Sequence, residues 1–265
     1  MITLIGLPFD AASSFLRGAA AAPDAIRQAL HSPASNGWSE SGREVVTDAM
    51  LADHDDLALP PTEESIALIE AGMRSLFSTG ARPIALGGDH SVTYPILRAL
   101  ASTRRDVTIV HIDAHADLYD SFEGSRYSHA CPFARIMEEG LAVGLVQVGI
   151  RTLTQHQREQ GARFGVDMFD MMRWTRGDRP AVRTPIYLSI DLDGLDPAFA
   201  PGVSHREPGG LTVREVIALV QSLEGPIVGA DIVELNPARD VDGCTAIVAA
   251  KLVKEVVDAM ASRST

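Results

Sequence analysis

Carboxylates and imidazoles crowd into three short segments of this chain: Gly87-Gly88-Asp89-His90-Ser91, Asp113-Ala114-His115-Ala116-Asp117 and Asp191-Leu192-Asp193. In extended backbone, side chains at i, i+2 and i+4 project to one side. Asp113, His115 and Asp117 therefore form one set, and Asp191 and Asp193 another. Carboxylates gathered in one crevice repel strongly at the reduced dielectric of a partly buried site unless cations neutralise them. Two divalent ions would balance these four acids. His90 and His115 complete an imidazole–carboxylate set suited to manganese and similar first-row metals, with shared carboxylates able to bridge two ions. The two cysteines, Cys131 and Cys244, are far apart and outside any CxxC spacing. That excludes a disulfide framework and a closed thiolate zinc site.

Each piece has a plainer reading when taken alone. An Asp-x-Asp after a strand is usually a turn or helix cap, and a Gly-Gly-Asp-His is usually a tight turn, with no Walker lysine following here. His129 alone would most often be a surface or satisfied core histidine, and Glu234 could pair with Arg239. DxHxD joined by a second DxD is harder to dismiss, and the combination points to a two-metal site.

The elements that must position these groups follow from hydrophobic patterning. Apolar runs at 2–7, 82–86, 107–112, 145–149, 185–190 and 227–233 show little alternation, the pattern of parallel strands buried on both faces. Helical stripes lie between them: Ile66, Ile69, Met73, Leu76 and Phe77; then Val213, Val216, Ile217, Val220 and Leu223. A last stripe runs through Val248, Leu252, Val256 and Met260, with Lys251, Lys254, Glu255 and Asp258 off it. The alternation predicts a doubly wound, three-layer α/β/α fold with a parallel sheet, whose ligand crevice lies beyond the carboxyl ends of the strands. All three polar segments, and Glu234, follow predicted strands. Segments 32–44 and 173–184 read as loops, and no shift in composition divides residues 1–265, so one domain is expected.

Composition narrows the partners. The chain has 265 residues, with 23 Lys and Arg against 35 Asp and Glu for a net charge of −12. A phosphate backbone is a poor match for that charge, so no nucleic-acid partner is expected. No apolar run approaches the roughly 18 residues of a membrane span, and MITLIGLPFD reads as a first strand rather than a signal peptide. No membrane partner and a cytoplasmic location are the expectation.

At the same motifs the chain resembles the manganese-dependent ureohydrolases, the family of arginase, agmatinase and their relatives. The likeness is carried by GGDHS (87–91), DAHADLYD (113–120) and SIDLDGLDPAFAPG (189–202). FEGSRYSHACPFARIME (122–138), DPAFAPGVSHREPGG (196–210) and VELNPARDVDG (233–243) look most like the plant-type arginases of the agmatinase-like branch. The resemblance implies an arginase-like fold with a sheet of about eight strands. It makes His90, Asp113, His115, Asp117, Asp191 and Asp193 the ligands of two Mn²⁺, with Asp113 and Asp191 bridging. It matches Glu234 to the carboxylate that orients a substrate guanidinium and His129 to a proton relay. A homo-oligomer, hexamer or trimer, is implied as well.

The activity so implied is hydrolysis of the guanidino group of L-arginine or agmatine to urea and an amine. A water bridging two divalent ions has its pKa lowered enough to supply hydroxide for attack on the guanidinium carbon. A small cationic guanidino substrate suits the acidic site. Formimidoylglutamase and other guanidino-acid hydrolases of the family, zinc-dependent deacetylases, and a non-catalytic metal-holding subunit are the alternatives. For specificity, the loop 120–128 lies between the metal cluster and His129. Ser121, Ser125 and Ser128 could donate to an α-carboxylate and Arg126 could pair with one, whereas Asp120 and Glu123 would favour agmatine. Both cysteines read as buried small side chains, and His205 and Glu207 as a loop wall or a subunit contact.

Overall fold

Eight strands form one wholly parallel sheet in the computed structural model, which describes residues 1–263. They are β1 (Ile2–Leu7), β2 (Leu51–Asp56), β3 (Arg82–Gly87), β4 (Thr108–Ile112), β5 (Gly144–Val148), β6 (Asp167–Phe169), β7 (Ile186–Asp191) and β8 (Ile227–Val233). Their order across the sheet is β2-β1-β3-β8-β7-β4-β5-β6. The four strands that end in the polar segments, β3, β8, β7 and β4, are therefore consecutive at the centre of the sheet. Their carboxyl ends open side by side into one crevice, as the reversal of strand order in a doubly wound sheet requires.

The six strands expected from apolar runs are present, and the two that patterning missed are the edges. β2 reads LADHDD and is largely exposed, and β6 is only three residues long. An edge strand has one unpaired side and need not be apolar, so neither produces the continuous run that marks a buried parallel strand.

Helices cover both faces. α1 (Ala22–Leu30), α7 (Val213–Ser222) and α8 (Cys244–Ser262) pack together on one side, and α2 (Glu64–Ser78), α3 (Thr93–Leu100) and α4 (Pro132–Glu138) on the other. α5 (Gln155–Phe164) and α6 (Met171–Thr175) complete the set, and α6 takes up the start of the segment 173–184 expected to be loop. Thr212 and Glu215 form a reciprocal capping box that starts α7 where its apolar stripe begins.

Three of the four polar residues beside the α8 stripe, Lys254, Glu255 and Asp258, are buried. Lys254 Nζ donates to Ser35 Oγ at 2.8 Å and to Asn36 O at 3.0 Å, Glu255 Oε1 accepts from Glu40 N at 2.9 Å, and Asp258 Oδ1 accepts from Arg43 Nε at 2.9 Å. The segment 32–44 is thus strapped across α8, which is why this helix is buried on more than its apolar side.

Candidate active site

The turn after β3 begins the site. A Cβ on Gly88 would lie 1.8 Å from the carbonyl oxygen of Phe9, so only glycine lets this turn cross the loop that follows β1. The next residues bring His90, fully buried, under the carboxylates. His90 Nδ1 lies 3.1 Å from Asp191 Oδ2, 3.2 Å from Asp113 Oδ2 and 3.2 Å from Asp117 Oδ2. A second group adjoins the first: His115 Nδ1 lies 3.1 Å from Asp193 Oδ2 and 3.4 Å from Asp113 Oδ1. Asp113 belongs to both. The six side chains expected from the motifs are thus brought together, His90 from the turn after β3, Asp193 from a short 3₁₀ turn after β7 and the others from the ends of β4 and β7, and His115 is the most exposed of them. Asp117 adopts a left-handed backbone at φ 49°, outside any extended strand, which turns its carboxylate back toward His90.

Charge tests whether this set suits a cation. Burial, reinforced by Asp193 and Asp113, pushes the Asp191 carboxyl well above the usual carboxylate range. Burial and the charge of Asp113, against the pull of His115, push Asp193 up to about 6. Among the described residues no Lys or Arg side chain forms an ion pair with Asp113, Asp117, Asp191 or Asp193; the only cationic partners are the imidazoles. A buried cluster of carboxylates with imidazole nitrogens and no fixed cation is a donor set that divalent ions relieve. The residues fit the metal pair.

His111 also belongs to this neighbourhood, and patterning passed over it. His111, Asp113 and His90 can be grouped as a possible metal triad by distance. The hydrogen bonds argue otherwise. The Gln147 amide nitrogen donates to Ala116 O at 2.7 Å and lies 3.0 Å from His111 Nδ1, so Nδ1 accepts and the proton sits on Nε2. Nε2 lies 2.7 Å from Asp113 Oδ2 and donates to it. His111 thus orients a ligand carboxylate and is not placed to be a ligand itself. Burial holds its pKa below the ordinary value, in keeping with a neutral ring.

Beside the cluster, Glu234 and His129 form a pair. Glu234 follows β8 in a left-handed conformation, φ 66°, with its N–H donating to Gly88 O at 2.8 Å. This backbone conformation is uncommon for a non-glycine residue and is found where a side chain must be aimed. Glu234 Oε1 accepts from His90 N at 2.9 Å and lies 2.9 Å from His129 Nδ1. On the other side of the ring, Nε2 lies 2.9 Å from Ser14 Oγ. Burial lowers the His129 pKa, but Glu234, Asp89 and Asp117 outweigh it and carry it up to about 9. A cleft of about 160 Å³ opens over both the pair and the cluster, lined by Asp117, His129, Asp191, Asp193, His205 and Glu234 among others.

Residues 1–258 match the family model described as the arginase family. The chain belongs to the arginase family. It is 45% identical over 278 residues to arginase 1, mitochondrial, of Arabidopsis thaliana, an alignment covering 96% of this chain and 79% of that protein. The structure of arginase from Medicago truncatula superposes with a TM-score of 0.94 at 42% identity, covering 98% of this chain and 87% of the other. An N(1)-aminopropylagmatine ureohydrolase of Thermus thermophilus is 38% identical over 89% of this chain and 83% of its own length.

In this arginase-family hydrolase the loop 120–128 is held at both ends. The Arg135 guanidinium donates through Nη1 to Asp120 O at 2.5 Å and Arg126 O at 3.3 Å. The structure does not bring all of the loop's expected specificity residues to the cleft. Arg126 is exposed and reaches Glu138 Oε2 at 2.9 Å, because Glu138 also pairs with Arg135 and draws both guanidiniums together. Ser121 is exposed and lines neither cavity at this end of the sheet. Ser125 and Ser128 line an outer cavity of about 380 Å³ with Ser14 and Phe122, the two residues it shares with the inner cleft. His205, read from the sequence as a loop wall or subunit contact, stands in the cleft wall, its ring 5.3 Å from that of His129 and 5.9 Å from that of His115. Cys131 is buried as expected, whereas Cys244 is exposed because it opens α8 at the surface.

Proposed function

We propose that this chain hydrolyses the guanidino group of L-arginine, with agmatine as the second candidate substrate, releasing urea and an amine. The observation that carries the reading is the Glu234–His129 pair opening into the same cleft as the histidine–carboxylate cluster. A metal-holding structural subunit has no use for either side chain there. Similarity to arginases of plants over nearly the whole chain supports L-arginine ahead of agmatine.

His90, Asp113, His115, Asp117, Asp191 and Asp193 would hold two Mn²⁺, Asp113 standing between the two groups. Divalent ions in such a set supply Lewis acidity and lower the pKa of water toward neutrality. Glu234 accepts charge-assisted hydrogen bonds from the guanidinium and fixes its plane, converting encounter into orientation. Its left-handed backbone and its bond from His90 N keep the carboxylate aimed before substrate arrives. His129, protonated beside Glu234, hands a proton to the departing amine, which is a poor leaving group without one.

Urea release from L-arginine, agmatine and 4-guanidinobutyrate, compared as kcat/KM, tests the substrate. Agmatine turned over at least tenfold more efficiently than L-arginine, about 1.4 kcal/mol, reverses the preference and leaves the chemistry intact. Formamide without urea from a formimino substrate points to the formimidoylglutamase alternative. For the metal, chelation should abolish activity and Mn²⁺ should restore it better than Mg²⁺, since imidazole ligands favour the softer ion. Asp113→Ala should lose metal and activity together. Full activity in a thoroughly chelated sample sinks the two-metal reading.

A further inference from the structure

A row of buried polar side chains crosses the sheet directly beneath the cluster. Strand register sets Gln147 of β5 beside His111 of β4, His111 beside Ser189 of β7, and Ser189 beside Asp231 of β8. All four are fully buried. In sheet interiors such positions are normally apolar, and a polar row survives only when every member is hydrogen-bonded.

Asp231 anchors one end. Tyr187 Oη donates to its Oδ2 at 2.7 Å, Thr93 Oγ1 to the same oxygen at 2.9 Å, and Ser189 Oγ to Oδ1 at 2.6 Å. Three hydroxyls converging on two oxygens is the pattern of a carboxylate that only accepts. The single hydroxyl proton of Ser189 is committed to Asp231. Toward His90 Nε2, 2.9 Å away, Ser189 Oγ therefore has only a lone pair to offer. The proton of a neutral His90 must then sit on Nε2, which leaves the Nδ1 lone pair facing Asp113, Asp117 and Asp191. Phe133 closes the layer, edge-on to His90 at 5.3 Å and stacked on His111 at 3.9 Å, so that neither ring can turn over without displacing it.

We infer that Asp231, acting through Ser189, is a positioning residue that locks His90 in the Nε2–H form and so presents Nδ1 to the metal. The inference rests on the metal reading of the site. Neither residue touches the cluster oxygens or the substrate cleft, and both act through the far side of the ring. Partners that orient a ligand histidine in this way are commonly worth about 10- to 100-fold in metal affinity.

The test is Mn²⁺ binding to the full chain, measured by calorimetry and by the loss of the free-ion EPR signal, in wild type, Ser189→Ala, Asp231→Asn and Thr93→Val. Ser189→Ala should weaken Mn²⁺ binding about 10- to 100-fold, and the double variant with Asp231→Asn should be little worse than Ser189→Ala alone, since both act through one chain. Thr93→Val removes a donor to Asp231 but leaves the Ser189–His90 link, so its affinity should stay close to wild type. At saturating Mn²⁺ the KM of Ser189→Ala should be unchanged, because the substrate contacts remain. With Zn²⁺ bound, ¹⁵N shifts of His90 should show a protonated Nε2 in wild type, with faster proton exchange in Ser189→Ala. If Asp231→Asn fails to fold, Ser189→Ala decides the matter. Wild-type affinity in a folded Ser189→Ala variant overturns the inference and spares the metal reading, and a wild-type chain that binds no Mn²⁺ overturns both.

Discussion

His129 touches Glu234 through one ring nitrogen and Ser14 through the other, and neither contact is with a residue of the metal set. His129→Ala should therefore lower turnover by roughly 10²- to 10⁴-fold while the Mn²⁺ content, measured by metal analysis of the purified variant, stays at the wild-type level. Loss of an ion would show that the imidazole is a ligand. The two thiols provide a second contrast between neighbouring chemistries. Burial, and then the charge of Asp117, push the Cys131 thiol up to about 12, so its thiolate is absent at ordinary pH, whereas Cys244 is exposed. Because the thiolate is the reactive form, one thiol should react promptly with a disulfide reagent at about pH 8 in the folded protein and two after denaturation. Two prompt thiols in the native state would mean that the wall around Cys131 opens.

Elements show what patterning can and cannot reach. The ligand motifs were legible because each sits just past the end of an apolar strand, although Asp117 and Asp193 reach the cluster through a left-handed residue and a short 3₁₀ turn rather than through strand alternation. His111 lies two residues before Asp113, inside β4, and was hidden by lying inside the apolar run. Gln147 and Asp231 were not legible at all, because their partners come from strands remote in sequence, and only the sheet register joins them. Of the loop 120–128, Phe122 reaches the inner cleft, whereas its other side chains were assigned by proximity in sequence, and the pull of Glu138 on Arg126 lies outside that logic. α8 gives a measurable case. Leu252 is fully buried in its stripe, and Leu252→Ala should cost about 2–5 kcal/mol, read from urea denaturation of the metal-loaded protein. A loss below 1 kcal/mol, about a fivefold change in the folding constant, would mean that the helix is held mainly by the strap of residues 32–44.

For the whole molecule, the central fact is that β3, β8, β7 and β4 are consecutive in the sheet although they are widely separated along the chain. The chain builds the left edge, crosses to β4, builds the right edge and only then inserts β7 and β8, so the site is complete only when the last two strands are in place. The loops leaving those strands also shape the mouth of the cleft. Leu16 O accepts from Ser204 Oγ at 2.7 Å and from Asn236 Nδ2 at 2.8 Å, which ties the segment after β1 to those after β7 and β8. On the loops after β1, β7 and β8, Phe15, Phe199 and Val241 leave 53%, 39% and 56% of their surface exposed. Together with the hexamer or trimer implied by the motif resemblance, this leads us to expect that the protein is not a monomer in solution. Light scattering coupled to size exclusion at micromolar concentration should give a mass that is a multiple of 28.3 kDa, either three or six chains. The result should hold with and without added Mn²⁺ if the contacts lie on these outer loops, since none of the three residues is among the metal set. A mass of one chain overturns the expectation, and assembly only in the presence of Mn²⁺ would instead place the cluster itself in control of the loops that meet at Leu16.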